Sequence, residues 1–90
     1  MTSVIDNVSD NRFEMAVDGQ TAFLTYRRNG GVIVLNHAEV PRALEGRGVG
    51  SDLVRATLDA VRAEGLKVVP RCSFVAAFIR RHPEYADLLG

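Results

Sequence analysis

A chain of 90 residues is long enough for one domain and too short for two; at this size it buries only about 60–65% of its unfolded surface, so its core is modest. Eleven basic residues balance eleven acidic ones to a formal charge of zero, which argues against a nucleic-acid binder, whose affinity rests on phosphate neutralisation. The single cysteine, Cys72, and two histidines exclude an internal disulfide and are a poor inventory for structural zinc, so no metal is expected and a reducing compartment is the simplest inference.

The first ten residues are polar and unpatterned and read as a flexible leader before a single domain over residues 11–90. No apolar run approaches the roughly 20 residues of a membrane helix. The start, "MTSVIDNVSDNR", matches neither a secretory nor a transit pattern, so we expect a cytoplasmic protein with neither membrane nor nucleic acid as partner.

Next, "RFEMAVDG" alternates apolar Phe13, Met15 and Val17 with polar neighbours, the period of a half-buried strand. Asp18-Gly19 is a tight-turn signal. "TAFLTYRR" is rich in β-formers, and "NGG" closes a second turn before "VIVLNHAEVP", which Pro41 ends. Three antiparallel strands in two hairpins are predicted. In the following segment Val49, Leu53, Val54, Thr57, Leu58 and Val61 recur at spacings of three and four, one apolar stripe of a helix, with Gly65 suited to the position past its end. "LKVVP" reads as a buried strand parallel to the third. Ser73 is the expected N-cap of a helix "FVAAFIRR", which stops near Arg81 because His82 precedes Pro83; Pro83 then opens a final turn, "PEYADLL". The order is β-β-β-α-β-α, an α+β fold.

"EGRGVGS" joins the third strand to the first long helix and places three glycines in five positions. Such a turn can gather free backbone N–H groups at the positive end of a helix dipole, where phosphate is the natural guest. A tight connection with no ligand is the alternative. A Walker loop is excluded because the only lysine is Lys67, and the dinucleotide fingerprint fails because Ser51 stands at its third glycine.

These residues carry a resemblance. "VPRALEGRGVGSDLVRATLDAVRAEG" resembles the acetyl-CoA-binding segment of the GNAT acetyltransferase superfamily, whose signature is Gln/Arg-x-x-Gly-x-Gly/Ala at a helix start. "NHAEVP" upstream and "VVPRCSFVAAFIRRHPEYADLL" downstream are similar to a subgroup of very small GNAT-like proteins. The resemblance implies a small, truncated GNAT-like fold with a mixed sheet and a splayed strand pair, around "NHAEV" and "KVVP", that admits the pantetheine arm of coenzyme A. It also implies that residues 42–51 wrap the pyrophosphate, with Val40, Arg42, Glu45, Gly46, Arg47, Gly48, Val49, Gly50 and Ser51 as cofactor-binding positions for acetyl-CoA. Glu45 departs from the usual Gln or Arg and brings an acid near phosphate; Asp52 brings a second, expected on the solvent side. The two helices between the family's first strands and its closing C-terminal hairpin, parts that build the acceptor pocket, are missing.

Acetyl transfer needs a deprotonated amine, oxyanion stabilisation and a proton for the departing thiolate. His37 and Glu39 lie two apart on one strand, hence on one face, and can act together on an amine or stand there as a solvated pair. Cys72, beside Arg71 at a helix N-terminus, is a candidate to line the site and take the acetyl group, or a small buried hydrophobe. The superfamily's acid tyrosine falls on Ile79 and is absent; Tyr85 is a candidate substitute or a packed ring. Arg80, Arg81 and His82 form a basic patch, either for the 3′-phosphate of coenzyme A or as a solvated helix end.

The resulting expectation is an acetyl-CoA-dependent N-acetyltransferase of a small-molecule or protein amine, monomeric or weakly homodimeric. Its alternatives are a coenzyme A or acyl-CoA binding module and a cofactor-free partner-binding domain.

Overall fold

The structure, a computed structural model, describes residues 3–90. Strands β1 (Ile5–Asn7), β2 (Arg12–Val17), β3 (Gln20–Asn29) and β4 (Val32–Glu39) precede helix α1 (Val49–Ala63). Strand β5 (Lys67–Pro70) and helix α2 (Ser73–Arg81) follow, with 3-10 turns at Val8–Asp10, Arg42–Leu44 and Pro83–Leu88. The strands form one sheet in the order β1-β2-β3-β4-β5; the first four run antiparallel, and β5 pairs in parallel with β4.

Alternation decides the core. Phe13 and Met15, Ala22, Leu24 and Tyr26, Ile33 and Leu35, and Val68 all point to one face and are buried. The six apolar-stripe positions of α1 are the six buried residues of that helix, laid against this face. Helix α2 shares the face and adds Val75, Phe78 and Ile79; Arg55 of α1 lies 5.3 Å over the Phe78 ring. The other face carries Arg12, Glu14, Phe23, Thr25, His37 and Glu39, half-buried or exposed, and neither helix covers it.

The local signals explain the joints. Asp18 (φ 50°) and Gly19 (φ 76°) both take the left-handed conformation that a two-residue hairpin turn requires. After α1 the Gly65 N–H bonds the Arg62 carbonyl and the Leu66 N–H bonds that of Val61, a Schellman ending with Gly65 in the left-handed position. Pro83 opens the last turn.

Three sequence expectations are corrected. The leader predicted over residues 1–10 contains β1 and the Val8–Asp10 turn, so the order becomes β-β-β-β-α-β-α; Met1 and Thr2 lie outside the described residues. Polar contacts rather than apolar alternation hold β1. Asp6 accepts from the Tyr26 hydroxyl (2.5 Å) and from Arg28 (2.8 Å), and the Asn7 amide donates to Glu14 (2.9 Å). The Asn7 bond first, then Arg12, holds the Glu14 carboxyl below its usual range. The N-cap of α2 is Cys72, not Ser73: the Cys72 N–H is tied to the Leu35 carbonyl (2.9 Å), and the helix starts at Ser73, one residue earlier than expected. Finally, Gly50 has ordinary helical backbone; what requires glycine there is a neighbouring side chain.

No helix among the described residues is long and apolar enough to cross a membrane.

Candidate active site

Two features of the sheet build the site. Opposite β3, the register steps from Thr25↔His37 to Tyr26↔Leu35, leaving Asn36 as an extra residue, a bulge in β4. On the other side, β5 pairs only with Val32, Ile33, Val34 and Leu35, and the chain then turns away into α2. Residues 36–39 of β4 are therefore unpaired towards β5. The splay expected around KVVP is not seen, since all four of its residues pair with β4; what the structure has instead is a free β4 edge beyond Leu35, left by the early end of β5 at Pro70, which lacks an N–H to continue a ladder.

The loop after β4 delivers α1 to the same place. Gly46 (φ 80°) and Gly48 (φ 76°) adopt the left-handed conformation; a Cβ on either would meet nothing within 4 Å, so their role is backbone direction into open space. Gly48 is the N-cap of α1 and supplies no side-chain cap. The first bond of the helix runs from the Asp52 N–H to the Gly48 carbonyl (3.0 Å), so the N–H groups of Val49, Gly50 and Ser51 have no acceptor within the helix. They open, with the positive end of the dipole, onto a cavity of about 930 Å³.

Of the positions singled out from the sequence, Glu39, Val40, Arg42, Glu45, Gly46, Gly48, Val49, Gly50 and Ser51 line this cavity. Arg42 is the one cation in its lining among the described residues, and Asp52 is solvent-exposed and outside it, as expected. His37 does not line the cavity; its Nε2 lies 2.8 Å from Oε1 of Glu39, which does, and both side chains are about 60% exposed (61% and 59%) on the open sheet face.

Other candidates lie elsewhere. Arg47 points out of the loop to Asp18, 2.7 Å away. The Cys72 thiol is buried within the core cluster and does not line the cavity, so the small-hydrophobe reading describes its position. Arg80 and Arg81 sit in the last turn of α2, whereas α2 meets the cavity at its first turn; Arg80 lines a separate groove of about 340 Å³. His82 stacks on Phe78 at 4.0 Å, and its Nδ1 lies 2.8 Å from the Phe78 carbonyl, closing the end of α2. Tyr85 is buried, with its hydroxyl donating to Asp59 (2.7 Å); burial first, then that bond, holds the hydroxyl above the usual tyrosine range. It packs the C-terminal turn and faces away from the cavity.

Sequence reasoning missed two aromatic walls. Phe23 lines the cavity from β3, and its signal was present: it is the apolar residue out of phase with inward Ala22, Leu24 and Tyr26. Phe74 lines it from α2 and is 43% exposed, out of phase with buried Val75, Phe78 and Ile79. A Cβ on Gly50 would fall 3.0 and 3.3 Å from Phe74 ring carbons and 3.6 Å from the Val40 side chain. Glycine within a helix costs about 1 kcal/mol relative to alanine, and at Gly50 the ring of Phe74 is the reason for it.

A mixed α+β sheet whose parallel strand ends early, with an uncapped glycine-led helix beside the free edge of β4, defines the class: a small α+β domain with a cavity at the N-terminus of its first long helix. Comparison with known proteins agrees with this class. The family profile described as GCN5-related N-acetyl-transferase matches residues 12–88, and the chain belongs to that family. It is 36% identical over 75 residues to mouse protein NATD1, covering 80% of this chain and 68% of the mouse protein. Against human protein NATD1 it is 40% identical over 63 residues, covering 69% of this chain and 56% of the human protein. The chain thus spans little more than half to two thirds of these relatives' lengths. A GCN5-like protein of Staphylococcus aureus, solved by NMR, superposes with a TM-score of 0.74 at 27% identity, covering 98% of this chain and 87% of that one.

Proposed function

We propose that the chain is an acetyl-CoA-dependent N-acetyltransferase acting on a small-molecule or protein amine. The carrying observation is the set of uncapped N–H groups on Val49, Gly50 and Ser51, opening onto the cavity at the free edge of β4. Acetyl-CoA, when bound, supplies an acetyl group activated as a thioester. The chain's own residues then divide the work. The N–H groups of the first turn of α1, oriented by Gly46 and Gly48, receive the diphosphate, and Arg42 adds the cationic wall. The unpaired backbone of residues 36–39 offers N–H and carbonyl groups to the amides of the pantetheine arm, as a missing strand would.

His37 is the base. In the tautomer whose Nε2–H donates to Glu39, Nδ1 is free to take a proton from the acceptor amine as the C–N bond forms; the C–S bond would break with its electron pair on sulfur, and the coenzyme A thiolate would take its proton from solvent. The exposure of His37 lets the amine's proton pass on to solvent.

One observation favours a second reading: no tyrosine or cysteine lines the cavity among the described residues, so a coenzyme A binding module with little catalysis is the alternative. Calorimetry and NMR titration separate the readings. Coenzyme A at about 100 times its dissociation constant should stabilise the fold by roughly 2.7 kcal/mol and perturb the amides of residues 46–51. Labelled acetyl-CoA with a panel of amines should show turnover that depends on His37. Binding without turnover supports the module, and no binding at all sinks both.

A further inference from the structure

We propose that Phe74 is a positioning residue that holds the pantetheine arm of coenzyme A against the free edge of β4; this rests on the coenzyme A reading of the cavity. Three residues from three elements meet here: Val40 just after β4, Gly50 in the first turn of α1, and Phe74 in the first turn of α2. All three line the cavity. A Cβ on Gly50 would press on the Phe74 ring, which would have to give by a few tenths of an ångström, and would lie 3.6 Å from the Val40 side chain, so ring and valine flank the same point of α1. The ring thus bridges the gap that the early end of β5 opens, at the point between the diphosphate cradle and the unpaired backbone of residues 36–39.

What passes this point must join the two, and it is the least polar part of the ligand, the dimethyl-bearing start of the pantetheine arm. An aromatic ring left 43% exposed on a helix whose other large apolar side chains are buried gains from covering such a group. The polar groups needed for the diphosphate are supplied by backbone, so Phe74 discriminates the arm and not the phosphates.

The test uses the full chain with Phe74→Ala, Phe74→Leu, Gly50→Ala and the Gly50→Ala/Phe74→Ala double variant, each titrated with coenzyme A and with adenosine 3′-phosphate 5′-diphosphate, which keeps the diphosphate and lacks the arm. Phe74→Ala should weaken coenzyme A about tenfold, as loss of one well-covered aromatic contact does, and leave the armless nucleotide unchanged. Phe74→Leu should restore most of the affinity. Gly50→Ala should weaken coenzyme A by pushing the ring aside, and the double variant should bind no worse than Phe74→Ala alone. Equal loss for both ligands, or coenzyme A binding unaffected by Phe74→Ala, overturns the proposal while leaving the cavity assignment intact. A wild-type chain that binds neither ligand overturns both.

Discussion

Arg47 leaves the glycine loop and meets Asp18 at the tip of the β2–β3 hairpin, Nη2 to carboxylate at 2.7 Å. The one cationic side chain within residues 45–51 is thus paired with an acid from another element, while the main chain on either side of it, at Gly46 and Gly48, lines the cavity. Both partners are half or more exposed (50% and 66%), so the pair contributes no more than about 1 kcal/mol. Asp18→Asn should barely change thermal stability. It should raise coenzyme A affinity by about two- to fivefold at low ionic strength, because a repelling acid is removed and Arg47 is released, and the gain should vanish at high salt. Calorimetry at two salt concentrations checks it; equal affinities at low salt would mean that Arg47 never turns to the ligand.

Gly48 bears on the backbone directly. A side chain there meets nothing within 4 Å, but φ of +76° is strained for any branched residue. Gly48→Val should destabilise the fold by about 1–3 kcal/mol and abolish coenzyme A binding by redirecting the first turn of α1. Thermal unfolding with and without coenzyme A measures both effects. A full ligand-induced shift in this variant would remove the cradle argument.

His37 and Glu39 separate catalysis from binding. Both are exposed, so His37→Ala and Glu39→Gln should change stability by less than about 0.5 kcal/mol. His37→Ala should lower kcat by about 10²–10⁴ while coenzyme A affinity stays put. Glu39→Gln should lower it less, because an amide at that position still accepts from Nε2. Steady-state kinetics alongside direct binding would expose the contrary case, in which His37→Ala turns over normally.

How far the residues announced this arrangement depends on which force acts. The apolar stripe of α1, the two hairpins, the parallel β5 and the turn after Pro83 follow from periodicity and backbone chemistry, and they were legible. Strand β1 was not, because Asp6 and Asn7 hold it by polar contacts that leave no alternation to read. The cradle was legible in its glycines, yet their reasons differ: Gly46 and Gly48 serve the backbone, and Gly50 serves Phe74. The bulge at Asn36 is a property of cross-strand register, which no single strand encodes. Cys72 and Arg80 share a helix with the site in the sequence, but helical geometry turns the first into the core and carries the second to the far end.

Cys72 gives the sharpest separation of position from chemistry. Its thiol is part of the core cluster, so Cys72→Ala should cost about 1 kcal/mol through lost packing. Acetyl transfer should persist. Intact-mass analysis after exposure to acetyl-CoA should find no adduct on Cys72; a stoichiometric acetyl adduct there would show that the thiol reaches the cavity.

Tyr85 completes the C-terminal packing through its bond to Asp59, between Phe78 at 5.9 Å and the guanidinium of Arg62 at 5.2 Å. Burial, then Asp59, raises its hydroxyl above the ordinary value of 10.0, and burial, then the bond to Asp6, does the same for Tyr26. A group whose folded pKa is raised contributes stability that is fully present below the unfolded value and is lost as pH climbs through the folded one. These are the only two tyrosines in the chain, so ultraviolet titration should show no tyrosinate near the ordinary value and then a rise that coincides with alkaline unfolding. Tyr85→Phe should cost about 0.5–1.5 kcal/mol for the lost hydrogen bond, a difference that narrows as pH climbs above the ordinary tyrosine value towards the alkaline transition. Its kcat should match the wild type, because the hydroxyl is committed to Asp59 outside the cavity. A large fall in kcat at unchanged stability would instead make Tyr85 the proton donor to the departing sulfur.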